Sequence, residues 1–103
     1  MTDDPLSSIA GVDPVLVEHV KSEDDWAFAD GALPRKIKLL IAAAFDAAQG
    51  ATHGARFLAE QAVKAGASKE EVGEAFRVAY VMSGRGSVYV AAHAVKDLFP
   101  DNL

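Results

Sequence analysis

The chain has 103 residues, half of them apolar, no cysteine, and a formal charge of −5. That size holds one domain and leaves no room for a second enzymatic unit, and the balance of apolar and charged residues is that of a folded globular protein. The missing thiols exclude disulfides, thiolate metal ligands and cysteine redox chemistry; the acidic balance, with Lys and Arg scattered, argues against a nucleic-acid surface.

The N-terminal MTDDPLSS is acidic and has no apolar core segment, so no secretory signal is expected. No apolar run approaches the roughly 20 residues of a membrane span, and the expected compartment is the cytoplasm, with no membrane partner. Residues 1–12 read as an arm, frayed over 1–5 and then a short turn of helix in PLSSIAG ended by Gly11. The helical domain is expected over 13–103. Asp13 and Pro14 form an N-cap and first-turn pair, opening a helix through VLVEHVKSEDDWAFA. DGALPRK breaks the chain and Pro34 starts the next helix. There Ile37, Leu40, Ile41, Ala44, Phe45 and Ala48 recur at i, i+3, i+4, i+7, the pattern of one buried face, and Gly50 ends it. A further helix is expected from about Thr52, placed to cap it, to Ala65, with Gly66 as its stop. Ser68 and Glu71 make an S-x-x-E capping box before a helix with Val72, Ala75, Phe76, Ala79 and Met82 on one face. SGRGS interrupts at residues 83–87, and a last helix carries Val88, Ala91, Val95 and Leu98 and stops at Pro100. Strand signals are nearly absent. The expectation is an all-α bundle of five main helices.

From Leu33 to about Val95 the sequence LPRKIKLLIAAAFDAAQGATHGARFLAEQAVKAGASKEEVGEAF, continued by VMSGRGSVYVAAHA, resembles the carboxymuconolactone decarboxylase family, which includes the alkylhydroperoxidase D-like proteins. The likeness rests on an L-x-x-K-x-x-x-L-I helix, a helix opening at the family's reactive motif, an A-x-x-x-G-A-S-x-E-E turn and a glycine interruption before the last helix. It implies a small helical bundle of the alkylhydroperoxidase D-like type, assembled as a homotrimer or homohexamer. In redox-active members the motif is C-x-H-C-x-x-x-H with a glutamate upstream. Laid onto this chain, the two cysteines fall on Ala51 and Gly54, the histidines on His53 and Leu58, and the glutamate on Leu39. Only His53 matches. Peroxide reduction in that family runs through the thiol pair, so the resemblance here implies no cysteine peroxidase. The decarboxylase branch works by acid/base proton transfer on a lactone acid, and its histidine position is again Leu58.

His53 lies in the first turn of its helix, where the positive dipole end disfavours imidazolium and suits a neutral base or donor beside an anion; equally, it is a first-turn residue filling space beside Gly54. Arg56, Glu60 and Lys64 share its helical face, with Glu60 to Lys64 in the favourable i,i+4 order. That face is either a solvated ion-paired surface or an acid/base pair of His53 and Glu60 assisted by Arg56. Tyr80, Arg85, Tyr89 and His93 gather around the glycine break, either as packing and interface groups or, for Arg85, Tyr89 and His93, as contacts to a small anionic organic ligand. The three histidines form no i,i+4 pair and no H-x-x-H, so no metal site is expected; no cofactor is expected either. SGRGS lacks the pattern of a phosphate loop. The small size, the alanine-rich helices, and Val63, Val81 and Val90 outside the main stripes call for self-association.

Two functions fit these residues. One is a cysteine-free enzyme acting on a small organic acid or lactone, with a pocket beside the first turn of the helix at 52–65. The other is a non-catalytic binding or assembly protein, in which Leu39, Ala51, Gly54 and Leu58 close into an apolar patch without a cavity.

Overall fold

The helix boundaries are set by local side-chain chemistry, and most of them are visible in the caps. The structure, a computed structural model, describes residues 6–99, which form six helices: α1 (Leu6–Ala10), α2 (Pro14–Phe28), α3 (Arg35–Ala48), α4 (Thr52–Lys64), α5 (Lys69–Ser83) and α6 (Gly86–Val95). The Asp13 carboxylate accepts the Leu16 N–H at 3.0 Å, and Pro14 fills the first turn, where its missing N–H is no loss. Asp30, in the loop after α2, accepts the Arg35 N–H at 2.6 Å and so caps α3 from a distance in sequence. The box at α5 closes both ways: Ser68 Oγ accepts the Glu71 N–H at 3.0 Å, and Glu71 Oε1 accepts the Ser68 N–H at 2.9 Å. Lys36 reaches the same carboxylate from α3 at 3.0 Å.

Three expectations at helix ends need adjusting. Thr52 is the first residue of α4 and does not cap it; Ala51 holds the cap position with no side-chain bond. The glycine interruption narrows to Gly84 and Arg85, since Ser83 belongs to α5 and Gly86 opens α6. Gly84 takes a φ of 99° there, a conformation that only glycine adopts without strain. The last helix ends at Val95 and leaves Leu98 outside it, with Asp97 turning the chain at a φ of 62°. The fraying expected over residues 1–5 and the stop at Pro100 lie outside the described residues.

α3 is the hub, touching α2, α4, α5 and α6, and its hairpin with α4 is the broadest contact. One core cluster gathers Leu39, Leu40, Ala62, Ala67 and Val72. A second is built from Ala47, Ala55, Ala59, Ala79 and Ala94, whose small side chains let the helix backbones approach closely. α1 touches only α2 among the described helices, and α2 buries Val17 alone.

The apolar stripe expected to face the core on α3 is only partly buried. Ile41 and Phe45 are 56% and 60% exposed, and Met82, expected inward on α5, is 79% exposed. Ile37, Leu40, Ile41, Ala44, Phe45 and Ala48 instead form one wall of an open apolar groove of about 390 Å³, with Ala75, Val78, Ala79 and Met82 opposite. The fully buried face of α3 lies one step round the helix, at Leu39, Ala43 and Ala47. Periodicity detects an apolar face but is blind to what covers it. No helix among the described residues is long and apolar enough to cross a membrane.

Candidate functional site

Two helical faces of the α3–α4 hairpin meet across a cavity of about 560 Å³. Arg35, Leu39, Ala42 and Asp46 come from α3 at i, i+4, i+7 and i+11, one continuous stripe. Gly54, Phe57, Leu58 and Gln61 come from α4 at i, i+3, i+4 and i+7, and the end of α2 adds Asp24, Asp25 and Phe28. The middle of the cavity is therefore apolar and its charges are separated along α3. Arg35 and Asp46 are eleven residues apart in sequence, roughly 16 Å of helix rise. The Arg35 guanidinium donates to the Phe28 carbonyl at 3.4 Å, and Lys38 Nζ donates to the Ala29 carbonyl at 2.6 Å. These bonds fold the α2–α3 loop onto the start of α3 and fix the floor of the site.

At the other end the Asp46 carboxylate lies against Gly54. A Cβ built on Gly54 would collide with Asp46 Oδ2 and stand 3.1 Å from its Cγ. Partial burial raises the Asp46 pKa above the ordinary aspartate value by disfavouring the charged form. Asp46 also borders an adjoining recess of about 350 Å³ with Phe28, Lys38 and Phe45.

The substituted motif positions divide. Gly54 and Leu58 line the cavity; Leu39 lines it too and is 2% exposed, anchored in the core. Ala51 is exposed at the start of α4. These positions therefore do not close into a patch without a cavity. His53 is exposed and is absent from the cavity lining, and its imidazole makes no hydrogen bond or ion pair among the described residues. Arg56, Glu60 and His93 come together elsewhere, as a tie between α4 and α6: the Arg56 guanidinium donates to the His93 carbonyl at 2.9 Å and stands 3.8 Å from Glu60 Oε2. Arg85 and Tyr89 are exposed at the α5–α6 turn and on α6, and neither lines this cavity. No group of three or more His, Asp or Glu among the described residues is placed to hold a metal ion.

Arg35, Asp46 and Gln61 were not among the residues singled out in the sequence. For Asp46 there is a signal: it continues the Leu39–Ala42 stripe of α3, across the hairpin from a glycine inside a helix. A charged residue on a half-buried stripe opposite a missing side chain marks a close approach.

The carboxymuconolactone decarboxylase family matches residues 16–97 of the chain. The fold is similar to the crystal structure of an apo carboxymuconolactone decarboxylase family protein from Legionella pneumophila, with a TM-score of 0.83 and 33% identity, covering 88% of this chain and 81% of that one. No curated protein matches the chain.

Proposed function

Since the chain belongs to the carboxymuconolactone decarboxylase family and has no thiol, we propose that it takes a small organic acid or lactone into the α2–α3–α4 cavity and acts on it by acid/base chemistry. The observation that carries this reading is the cavity itself, which stays open at the family's reactive positions Leu39, Gly54 and Leu58 with charged groups at both ends. Cavities with apolar walls and a few convergent polar groups are the usual seats of small ligands. The lining holds Asp24, Asp25 and Asp46 against the single cation Arg35, so of the two substrate classes the uncharged lactone suits the field better than a carboxylate. His53, one residue before Gly54, is exposed and outside the cavity lining, so an acid/base pair of His53 with Glu60, and ligand contacts from Arg56, Arg85, Tyr89 and His93, would need a second copy of the chain to cover them.

The test is a titration of the full chain with 2(5H)-furanone, an uncharged γ-lactone, followed by amide chemical shifts. Shifts confined to Leu39, Gly54, Phe57, Leu58 and Gln61 are expected. An unperturbed spectrum at millimolar lactone would remove the reading and leave the non-catalytic alternative, a binding or assembly protein.

A second observation favours self-association alongside this activity. The groove between α3 and α5 is lined by apolar side chains alone, several of them more than half exposed, and exposed apolar surface of this kind marks an interface. A second copy of the chain, in a homotrimer or homohexamer, is the proposed occupant, and light scattering of the purified protein reads it directly.

A further inference from the structure

We infer that Asp46 is the proton acceptor of the α2–α3–α4 cavity, standing in the volume that a side chain at position 54 would occupy, and that the occupant is a neutral molecule with an apolar body and one acidic proton. This rests on the reading of the cavity as a ligand site and adds to it a residue and a ligand class.

The geometry begins at Gly54. It is the third residue of α4, and glycine inside a helix is destabilising relative to alanine. Here the absence of a Cβ leaves the carboxylate room, since a side chain at position 54 would meet Asp46 Oδ2 and turn it aside. Laid on the family motif, position 54 is that of the second thiol, so a carboxylate oxygen from α3 stands where that residue's own Cβ would be.

No cationic side chain pairs with Asp46, and the positive charge nearest it is the first turn of α4 at Gly54. Its carboxylate makes no hydrogen bond and no ion pair among the described residues and keeps part of its surface in water. Every cation near the site is placed elsewhere. Lys38, on the adjoining recess, donates to the Ala29 carbonyl; Arg35 is at the far end of the α3 stripe and donates to the Phe28 carbonyl. α4 contributes no charged group to the cavity lining, and α2 contributes Asp24 and Asp25, which are both acidic. Partial burial makes the carboxylate a better base than an ordinary aspartate.

The lining selects the occupant. Phe28, Leu39, Phe57 and Leu58 offer apolar walls, and three carboxylates against one guanidinium repel an anion. What an unpaired carboxylate accepts is an O–H, N–H or activated C–H. In the transfer the ligand's bond to hydrogen breaks, its electron pair stays on the ligand atom, and the proton goes to an oxygen of Asp46. The negative charge thereby moves from protein to ligand, and reversal returns it.

Phenol and anisole separate this from simple apolar binding, since they share a ring and differ in the donor. Amide-shift titrations of the full chain at neutral pH should show both in the cavity, with phenol bound about tenfold more tightly through one charge-assisted hydrogen bond. Asp46→Ala should remove that preference, so that phenol and anisole bind with equal affinity. Asp46→Asn, which keeps the size and a neutral acceptor, should keep a fraction of it and guards against a folding defect. Gly54→Ala, which pushes the carboxylate aside, should weaken the preference in the same direction. A phenol preference that persists in Asp46→Ala overturns the inference, and so does benzylammonium binding more tightly than phenol. Lactone and anisole bound equally well with no phenol preference overturns this inference alone. A wild-type spectrum unmoved by the lactone, phenol and anisole overturns the ligand-site reading and this inference with it.

Discussion

α3 presents one face to a cavity with charged ends and another to a groove with none. On the first, Arg35, Leu39, Ala42 and Asp46 meet α4 and the end of α2; on the second, Ile37, Ile41, Ala44, Phe45 and Ala48 meet α5. The two recesses differ little in residue size and greatly in chemistry. A wall without polar atoms can hold a partner by area alone, which is how chain copies associate, whereas orienting a small molecule takes a few polar groups in fixed places. On the functions proposed above, the same helix would divide assembly from ligand chemistry by rotation about its axis.

The sharpest test of that division is truncation on either side. Leu39 is part of the core cluster while lining the cavity, so Leu39→Ala should lower the unfolding free energy by about 2–5 kcal/mol, measured by denaturant titration. Phe45→Ala, on the exposed wall, should change the unfolding of the dissociated chain by less than about 1 kcal/mol. Equal losses at the two positions would mean that the groove is core surface and that the contrast is false. Next in size is a charge placed in the groove. Ile41→Glu should weaken self-association by about 2 kcal/mol or more, some thirtyfold in dissociation constant, with the helical circular dichroism retained. An unchanged mass in light scattering would place the interface on another surface.

Much of the fold could be read from residue identities because its determinants are local. The Asp13–Pro14 start, the Ser68–Glu71 box and the glycine stops at Gly50 and Gly66 depend on backbone geometry within a few residues, and each is found where it was expected. The covering of each face was less legible. The α3 stripe reads as buried by its period, yet Ile41 and Phe45 face the groove, because period and hydrophobicity are the same for a core face and a partner face. His53 drew attention by its motif position and lies outside the cavity, while Asp46 escaped it. The contact that singles out Asp46 joins residues eight apart in the chain, across a turn, and depends on the atom that Gly54 lacks.

Two glycines inside helices give a smaller and more selective comparison. Gly73, in α5, has open space around its missing Cβ, whereas Gly54 has Asp46 there. Gly73→Ala should therefore stabilise the fold by about 0.5–1 kcal/mol. Gly54→Ala gains the same propensity and loses it, or more, in displacing the carboxylate, and should come out neutral to about 1–2 kcal/mol destabilised. Thermal midpoints of the two variants side by side make the check. Stabilisation of equal size in both would mean that Asp46 swings away freely and that Gly54 is not reserved for it.

The smallest effects are electrostatic, and their signs are opposite for two carboxylates. The Asp46 pKa is raised by partial burial, so the folded state holds that proton more tightly than the unfolded chain does. Its contribution is complete below the ordinary aspartate value and is lost as the pH rises through the folded value above it. The Glu71 pKa is lowered, first by the Ser68 backbone N–H and then by Lys36, so its contribution is complete above the ordinary glutamate value and is lost as the pH falls through the folded value beneath it. Stability measured against pH should therefore lose its Asp46 component in Asp46→Asn, which leaves the higher part of the acid range flatter, and its Glu71 component in Glu71→Gln, which leaves the lower part flatter. Salt should shrink the Glu71 component more, because its Lys36 partner is about one-third exposed and surface pairs are readily screened. An Asp46→Asn profile that runs parallel to the wild type through the higher window would place the carboxylate in free water, and the cavity would then lose the base that distinguishes it from the groove on the other side of α3.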